Sequence, residues 1–340
     1  MEYHLQFTPF KREFKAPLTV GTEILLQRSF VRLDLQDEQG QVCASADLSP
    51  LPGLDLLTVE ECVVEINNFL QAEKDFLHKF NLFHSNTPVN DLKNLNLKLS
   101  PPACFALESL LFDRCTKTQS LAIEPHNQTF KSHLLLIPSS DGLIYPGIED
   151  FPMGQNATVK LKVKNLSQLE IVNHCHQLLD KFPRLRLRID VNQSLDKNTL
   201  SNIWQDFGHA IDYFEGPDQS LYAFLDQHGI PFAIDEDLFV SATAKILDDS
   251  EAIEKIEKLT LSNPTLRAII YKPGHHGGLA LLLKIIPVIE SAPNKLELIL
   301  SSPYLSEYQI EMLRLFSYHF APKLLNYTHG LDTLKYFTQN

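Results

Sequence analysis

The chain has 340 residues, of which 44% are hydrophobic and 21% are charged, a composition typical of a globular protein with a large core. The formal net charge of −12 at pH 7 argues against nucleic acid or an anionic membrane as the main partner. At this length we expect two domains, or one large barrel with an attachment.

Targeting and redox signals are weak along the whole chain. The opening "MEYHLQFTPFKREF" lacks the apolar core of a signal peptide, so we expect a soluble, cytoplasmic protein. The five cysteines are scattered without a Cys-x-x-Cys pair, which favours a reducing compartment and argues against a structural zinc site. The most apolar run, "LALLLKIIPVI" at 279–289, is too short to span a bilayer.

The first hundred residues predict a small α+β unit. "FVRLDLQDEQGQVCASADL" alternates on both sides of a turn at 38–40, which indicates a β-hairpin. Thr58 with Glu61 forms a capping-box pattern that opens a helical run towards Phe83. "HSNTPVNDLKNLNLKLS" is interpreted as a polar linker, after which Ser100 and two prolines start another helix, "ACFALESLLFDRC".

From about residue 132, short apolar strands alternate with amphipathic helices. This alternation indicates parallel strands with helical crossovers, and seven or eight such units favour a (β/α) barrel over an open sheet. The sequence has no glycine fingerprint of a nucleotide-binding sheet. The predicted strands are "HLLLIP", "TVKLKVK", "RLRLRIDVN", "IDYFEGP", "PFAIDE", "RAIIYKPG", "LELILSS" and a weaker candidate near "KLLNYT". The predicted helices are "LSQLEIVNHCHQLLDKF", "SEAIEKIEKLTLS" and "SEYQIEMLRLFSYHF".

Five consecutive predicted strands end in charged side chains. Side chains alternate along a strand, so Lys160, Lys162 and Lys164 share one face of "VKLKVK". On its own this pattern favours a half-exposed surface strand. The strands that follow end in Asp190, Glu215, Asp235 and Lys272.

The ends of barrel strands meet around one axis, which is where such barrels have their active sites. Three carboxylates from adjacent strands would form the oxygen site that Mg²⁺ prefers. The ion and a second lysine would lower the pKa of a lysine, so that this lysine could act as a base. The ion would also stabilise the enediolate formed when a substrate carboxylate loses its α-proton. We therefore expect the lysines to face a site rather than solvent.

These residues, in this order, resemble the enolase superfamily, and within it the o-succinylbenzoate synthases of menaquinone biosynthesis. The resemblance covers nearly the whole chain through "KLKVK", "RLRIDVN", "FEGP", "AIDE", "YKPGHHGG", "LSS" and "HGLDTLKYF". "PLTVG" and "SPLPGL" resemble the two capping-domain loops that close over the substrate. The resemblance implies an α/β fold, a (β/α)7β TIM-like barrel at 100–325 with an α+β N-terminal capping domain at 1–99. Residues 326–340 would pack back towards the cap.

The resemblance also implies roles for the residues at the strand ends. Asp190, Glu215 and Asp235 would bind Mg²⁺, for which Mn²⁺ could substitute. Lys162 would remove the α-proton and then act as the acid that helps hydroxide leave. Lys272, on the opposite face, would stabilise the enediolate.

Five further residues are implied near the substrate. Lys160 would support the substrate carboxylate and tune the pKa of the neighbouring base. Arg188 and Asn192 would line the same mouth, and Ser301 and Ser302 would contact the substrate.

The sequence departs from the family at two motifs. Gly216 follows Glu215, where a second glutamate or a glutamine followed by proline is more usual. "SSPYLSE" has Leu305 at the position of a family glutamate, which leaves the role of the loop beyond its two serines open.

Three other features receive structural interpretations. Lys164 is explained as the solvent-side end of its strand and is left out of the site. His275 and His276 are adjacent in a turn, where side chains diverge, so a solvated turn is favoured over substrate contact and substrate contact over metal binding. The two histidines of "HCH" at 174–176 lie mid-helix on different faces and are interpreted as structural.

Three functions stay open. The first is Mg²⁺-dependent syn-dehydration of a small carboxylate, 2-succinyl-6-hydroxy-2,4-cyclohexadiene-1-carboxylate, to o-succinylbenzoate. The second is racemisation or epimerisation of an N-acylamino acid or dipeptide, with Lys162 and Lys272 as bases on opposite faces. Dipeptide epimerases usually carry an Asp-x-Asp pair at the last strand, whereas "NYTHGLDT" has only Asp332. The third is a catalytically silent barrel that acts as a binding partner, which the presence of every implied ligand and lysine disfavours.

Overall fold

The computed structural model of the chain describes residues 3–79, 88–118, 131–139, 142–144, 157–235, 238–239 and 248–338. In these residues a three-stranded antiparallel sheet with helices lies above a curled parallel sheet. The N-terminal elements are β1 (Tyr3–Val20), β2 (Glu23–Asp37), β3 (Val42–Leu48), α1 (Val59–Ala72), α2 (Phe76–Lys79), α3 (Pro88–Lys93) and α4 (Pro101–Thr118).

The local signals of the N-terminal unit explain where its elements begin and turn. Strands β2 and β3 are joined at the predicted turn, where the N–H of Gly40 donates to the carbonyl of Asp37 at 2.9 Å. The capping box of Thr58 and Glu61 is confirmed at the start of α1. The helix ends at Ala72, and the predicted continuation to Phe83 lies outside the described residues. The predicted polar linker contains the short helix α3.

The second unit is a sheet of seven parallel strands, in the order β12-β11-β10-β9-β8-β7-β5, with β6 antiparallel beyond β5. The strands of this unit, including the separate pair of β4 and β13, are β4 (Lys131–Ser132), β5 (Leu134–Ser139), β6 (Gly142–Ile144), β7 (Thr158–Lys162), β8 (Arg186–Asp190), β9 (Ile211–Glu215), β10 (Phe232–Ile234), β11 (Leu266–Tyr271), β12 (Glu297–Leu300) and β13 (Thr328–His329). Its helices are α5 (Gln168–Lys181), α6 (Lys197–Phe207), α7 (Tyr222–Gln227), α8 (Asp249–Ser262), α9 (Leu279–Ser291) and α10 (Glu307–Phe320).

The short strand β13 closes the curled sheet into a barrel. It pairs in parallel with β4, and Gly330 forms a parallel bridge with Ser301 just beyond β12. The chain around β13 therefore occupies the space between the first and seventh parallel strands, which completes the expected (β/α)7β architecture. The weak strand candidate near "KLLNYT" is wrong for most of its length, because Pro322–Asn326 forms a 3-10 helix. Proline has no N–H for strand pairing but suits the start of a helical turn.

The register of the parallel strands brings the predicted site residues to one level. Lys162 of β7 lies opposite Asp190 of β8, and Asp190 lies opposite Glu215 of β9. Alternate residues of these strands, such as Leu161 and Ile189, point outward into the layer of helices and are fully buried. The charged residues consequently face the inside of the barrel at its C-terminal end.

The cap contacts both a loop of the barrel and the C-terminal segment of the chain. The guanidinium of Arg28 on β2 donates to the carbonyls of Ser49 and of Pro303 in the loop after β12. Near the C-terminus, the ring of Phe337 stacks on Phe14 of β1 with centroids 4.8 Å apart. Helix α4 packs on β3 of the cap and also on α9 and α10 of the barrel, so the proposed boundary at 99/100 stays a prediction.

The sequence predicted no membrane-spanning segment and no cysteine pair of the Cys-x-x-Cys kind. Among the described residues, no helix has the length and apolarity needed to cross a membrane. The apolar run at 279–289 forms most of α9, whose buried residues belong to the core. All five cysteines are free thiols.

Candidate active site

A cavity of about 510 Å³ lies between the cap and the C-terminal ends of the barrel strands. Two cap segments contribute to its wall: 19–21, which ends the predicted loop "PLTVG", and 51–54 from "SPLPGL". Eight of the ten predicted site residues line it. They are Lys160, Lys162, Asp190, Asn192, Asp235, Lys272, Ser301 and Ser302.

The two cap loops touch through their backbones. Gly21 and Gly53 have φ angles of +57° and +81°, in the region that side-chain-bearing residues rarely adopt. A Cβ on Gly21 would lie 2.5 Å from the carbonyl oxygen of Gly53, and a Cβ on Gly53 would collide with the carbonyl oxygen of Val20. Glycine at both positions therefore permits the loops to meet at the cavity.

Lys160 lies between two acids at the floor of the cavity. Its Nζ is 3.0 Å from Oδ2 of Asp190 and 2.5 Å from Oε1 of Glu215. Burial lowers the pKa of Lys160, but the charges of Asp190, Glu215 and Asp235 outweigh burial and raise the pKa well above its ordinary 10.5. Lys160 is therefore a charged ammonium in this arrangement, and its ion pair holds the buried carboxylate of Glu215 in place.

Lys162 has a different environment from its neighbour Lys160. Its side chain is half-buried at the cavity and forms no ion pair with any residue in the described part of the chain. Burial lowers the pKa of Lys162; the charge of Asp190 opposes this effect, whereas the ammonium groups of Lys160 and Lys272 reinforce it. A lysine with a lowered pKa reaches its neutral form more readily, which is the form that accepts a proton.

Lys272 is held through both its side chain and its backbone. Its Nζ donates to Oδ2 of Asp235 at 2.7 Å, and its backbone N–H donates to Nδ1 of His276 at 3.0 Å. The ring of His276 stacks on Phe239 with centroids 4.2 Å apart and is 4% exposed. The interpretation of His276 as part of a solvated turn is therefore wrong, because Phe239 covers the ring. Burial lowers the pKa of His276 well below 6.5, with the charges of His275 and Lys272 adding to the shift.

The ring of His275, whose centroid is 5.0 Å from that of His276, contacts the cap. Its Nδ1 lies 2.7 Å from Oδ1 of Asp55, and the other carboxylate oxygen of Asp55 accepts the N–H of Leu51 at 2.6 Å. Leu51 belongs to the cap segment at the cavity wall. The turn after β11 is thus connected through two hydrogen bonds to a loop that covers the cavity.

The three acids present only oxygen donors, which is the chemistry that Mg²⁺ requires. Asp190, Glu215 and Asp235 are 4%, 1% and 9% exposed, and Oε2 of Glu215 is buried with no hydrogen-bond partner among the described residues. A bound cation would give Oε2 of Glu215 a partner. However, the described part of the chain contains no group of three acidic, histidine or cysteine side chains placed to hold a metal ion. The three acids are paired with the ammonium groups of Lys160 and Lys272 instead. The role of the acids as metal ligands therefore stays a prediction.

Two of the predicted positions need correction. Arg188 does not line the cavity: it precedes Asp190 by two residues on the same face of β8 and therefore lies one layer deeper. Its guanidinium is 4.9 Å above the ring of Tyr213 and donates to the carbonyl of Thr328 at 2.5 Å. Lys164, which was left out of the site, does line the cavity.

The remaining predicted contacts already take part in hydrogen bonds. The amide of Asn192 donates to Oδ1 of Asp190. Oγ of Ser302 lies 2.6 Å from Oγ1 of Thr333 and accepts the N–H of Leu305 at 2.9 Å. Ser302 therefore holds its own loop, whereas no side-chain hydrogen bond occupies Ser301 within the described residues.

Tyr304 was not among the residues predicted for the site. This residue lines the cavity, and it has a φ of 58°, which is unusual for a bulky side chain. Its ring packs edge-on against Phe14 of the cap and Tyr336 near the C-terminus, with centroids 5.5 Å and 5.9 Å away. Tyr304 lies in "SSPYLSE", the loop in which the sequence departs from the pattern that it otherwise resembles. A tyrosine directly after the two serines and a proline was the available signal.

No family model matches the sequence, and comparison with curated proteins finds no match. Solved structures do match it. The o-succinylbenzoate synthase from Thermosynechococcus elongatus BP-1, complexed with Mg in the active site, is 19% identical with a TM-score of 0.64, over 98% of this chain and 94% of that chain. The L-Ala-D/L-Glu epimerase from Bacillus subtilis is 16% identical with a TM-score of 0.73, over 99% and 91%.

A third similar structure is the N-succinyl Arg/Lys racemase from Bacillus cereus ATCC 14579. It is 15% identical with a TM-score of 0.67, and the match covers 99% of this chain and 88% of that chain. These neighbours catalyse different reactions, and their identities are low, so the likeness concerns the fold. The chain shares the fold of these structures, a parallel barrel with an N-terminal capping domain.

Proposed function

We propose that this chain is an Mg²⁺-dependent enzyme that dehydrates 2-succinyl-6-hydroxy-2,4-cyclohexadiene-1-carboxylate to o-succinylbenzoate. Lys162 carries this proposal. It is a lysine at the cavity with no acid partner in the described chain and with a lowered pKa, and it lies opposite Asp190 at the mouth of the barrel. These are the properties required of a base that removes a proton α to a carboxylate.

Asp190, Glu215 and Asp235 would hold the ion. Bound there, Mg²⁺ would supply positive charge to the oxygens of the substrate carboxylate. Lys160 now pairs with Asp190 and Glu215, and its ammonium would be free to turn towards the substrate once these two acids have another cation. Lys272 would keep its pair with Asp235. Without the ion Lys160 is charged, because the charges of the three acids outweigh its burial and hold its pKa well above 10.5.

The reaction divides into two proton movements at Lys162. Its neutral Nζ takes the α-proton, and the electron pair of the broken C–H bond passes into the carboxylate to form an enediolate. The charged groups of Lys160 and Lys272 stabilise the extra negative charge. The electron pair then forms the new double bond of the ring as the C–OH bond breaks, and Lys162 returns its proton to the departing hydroxyl, which leaves as water. One residue serves as base and acid because both groups leave from one face.

Lys272 supports dehydration over racemisation. Racemisation by two bases requires a neutral base on each face of the substrate, whereas Nζ of Lys272 is 2.7 Å from Oδ2 of Asp235. An ion pair favours the charged form of a lysine. Lys272 is therefore better suited to stabilise charge than to accept a proton.

The experiment compares both reactions with one protein preparation. We expect formation of o-succinylbenzoate with Mg²⁺, and a kcat/KM for this dehydration that exceeds the kcat/KM for racemisation of N-succinylamino acids. A higher kcat/KM for racemisation would overturn the ranking. Absence of both reactions with Mg²⁺ present would instead favour the silent barrel.

A further inference from the structure

The cavity contains a lysine that the proposed mechanism does not use. Lys164 lines the cavity two residues beyond Lys162, and its side chain is exposed there. Unlike Lys160 and Lys272, it forms no ion pair with the part of the chain that the structure describes. An ammonium at a cavity mouth without an internal partner is available to a ligand.

The backbone at Lys164 is held in place. Val163 is fully buried, and its N–H donates to the carbonyl of Asp190 at 3.0 Å. The N–H of Leu166 closes a turn by donating to the carbonyl of Val163 at 3.0 Å, and Asn165 inside this turn has a φ of 70°. Lys164 therefore projects into the cavity from a fixed turn two residues beyond Lys162 rather than from a free loop end.

The acid on the cavity wall does not balance this charge. Asp332 lines the same cavity, but Lys335 already neutralises it, with Nζ 2.7 Å from its Oδ2. The wall consequently offers an available cation and an already paired anion. This arrangement favours a ligand tail with a negative charge over the amino group of a dipeptide.

The charges of the whole site lead to the same conclusion. With the ion bound and Lys162 in the neutral form that proton abstraction requires, the two charges of the ion together with the ammonium groups of Lys160, Lys164 and Lys272 exceed the charges of the three acids by two. A ligand with one carboxylate would leave an excess of positive charge in the cavity. A dicarboxylate would neutralise the site.

We propose that Lys164 binds a second carboxylate of the substrate, at the end of a short acyl tail, and makes the enzyme specific for dicarboxylates. This inference rests on the proposed function only in placing the reacting carboxylate at Asp190, Glu215 and Asp235. It applies equally to a succinylated ring and to an N-succinylamino acid. Lysine suits this task because its ammonium is a compact charge on a flexible stem that can follow the tail.

The test measures equilibrium binding by calorimetry in the presence of Mg²⁺. The probes are o-succinylbenzoate and 2-butanoylbenzoate, which has a methyl group in place of the tail carboxylate. Lys164→Met keeps the length of the side chain and removes its charge, Lys164→Arg keeps the charge, and Lys258→Met changes an exposed lysine on α8, outside the cavity. We expect Lys164→Met to weaken binding of o-succinylbenzoate roughly 5- to 20-fold, between the effects typical of an exposed ion pair and of a charged hydrogen bond. Binding of 2-butanoylbenzoate should not change.

Each outcome decides the proposal. Equal effects of Lys164→Met on both probes, an effect no larger than that of Lys258→Met, or failure of the wild-type protein to prefer o-succinylbenzoate would overturn it. Retention of tight binding by Lys164→Arg supports it. If the protein prefers the dicarboxylate through Lys164 but forms no o-succinylbenzoate, the dehydratase assignment fails and the tail site stands. If it dehydrates the substrate with the same KM in Lys164→Met, the tail site fails and the dehydratase assignment stands.

Discussion

The backbone N–H of Lys272 donates a hydrogen bond to Nδ1 of His276 at 3.0 Å. Because Nδ1 is the acceptor, the proton of the neutral ring lies on Nε2, which is 3.9 Å from Oδ1 of Asp235. The ring therefore lies between the backbone of Lys272 and the carboxylate of Asp235, and the side chains of these two residues are themselves paired at 2.7 Å. His276 thus holds the backbone of Lys272 through a hydrogen bond, whereas its Nε2 lies beyond hydrogen-bonding distance of Asp235.

Replacing His276 should test this positioning. His276→Phe keeps the stacking on Phe239 but leaves the buried N–H of Lys272 without an acceptor, which costs about 1–3 kcal/mol of stability. We expect kcat to fall more than KM rises, measured well below the melting temperature. His276→Asn is the matched control, because its side-chain oxygen can take the place of Nδ1 and should restore part of kcat. Equal activity of the two variants would contradict the role of this hydrogen bond.

Lys162 should be the most sensitive of the cavity lysines. Lys162→Ala removes the base, and loss of a general base lowers the rate by roughly 10²–10⁴. Exchange of the α-proton for deuterium from solvent should fall by a similar factor, whereas product affinity should be largely kept. The kcat of Lys160→Ala should lie between that of Lys162→Ala and that of wild type. This substitution leaves Asp190 and Glu215 without their partner and alters the pKa of Lys162. Small, equal effects of both substitutions on kcat would mean that neither lysine takes part in proton transfer.

Alternation along the strands predicted the faces of Lys160, Lys162 and Asp190 correctly, because a strand has a period of two and parallel strands end at one level. The same period could not predict which side chains reach the cavity. Arg188 and Lys160 lie opposite each other in the register, yet Lys160 lines the cavity, whereas the guanidinium of Arg188 turns to the carbonyl of Thr328 and the ring of Tyr213.

The environment of His276 was equally out of reach of the sequence. Its burial depends on Phe239, which is distant in the chain and contacts it only after folding. The adjacent pair His275 and His276 has a loop signature, and nothing in a loop pattern distinguishes a ring that contacts the cap from one that is buried. The long hairpin of β1 and β2 was also not singled out, although its tip reaches the cavity at Gly21.

Removal of the metal should abolish activity without unfolding the protein. The acids of the proposed site are paired with Lys160 and Lys272 in the absence of an ion, so their repulsion is already reduced. We expect excess EDTA to stop dehydration while the melting temperature changes little, and added Mg²⁺ or Mn²⁺ to restore the activity. Full activity in excess EDTA would rule out the metal-assisted mechanism.

Asp235→Asn should separate metal binding from folding. The amide can still accept a hydrogen bond from Lys272, so the melting temperature should stay close to that of wild type, but the lost charge should weaken binding of the ion. Calorimetric titration with Mg²⁺ and thermal melts of the same sample measure both quantities. A large loss of stability with unchanged Mg²⁺ affinity would show that Asp235 is a structural residue.

Glu108 should make stability fall as pH rises. It lies on α4, buried at the start of α9, where its Oε2 accepts the N–H of Ala280 at 2.8 Å. Burial raises the pKa of Glu108 from 4.5 to about 8, and the charge of Asp249 adds to the increase. Between these two values the folded protein binds a proton that the unfolded chain has released, so the contribution of Glu108 to the free energy of unfolding decreases through this range and is constant above it.

Glu108→Gln should remove this dependence, because a glutamine does not titrate. The free energy of unfolding, measured with denaturant between pH 5 and pH 9, should fall in wild type relative to the variant by up to about 1.4 kcal/mol per pH unit. The difference between the two proteins should stop changing above about pH 8. Glu254→Gln, which alters an exposed glutamate on α8, is the control and should follow wild type. Parallel pH curves for wild type and Glu108→Gln would mean that Glu108 is ionised in the folded protein, stabilised by the N–H groups at the start of α9.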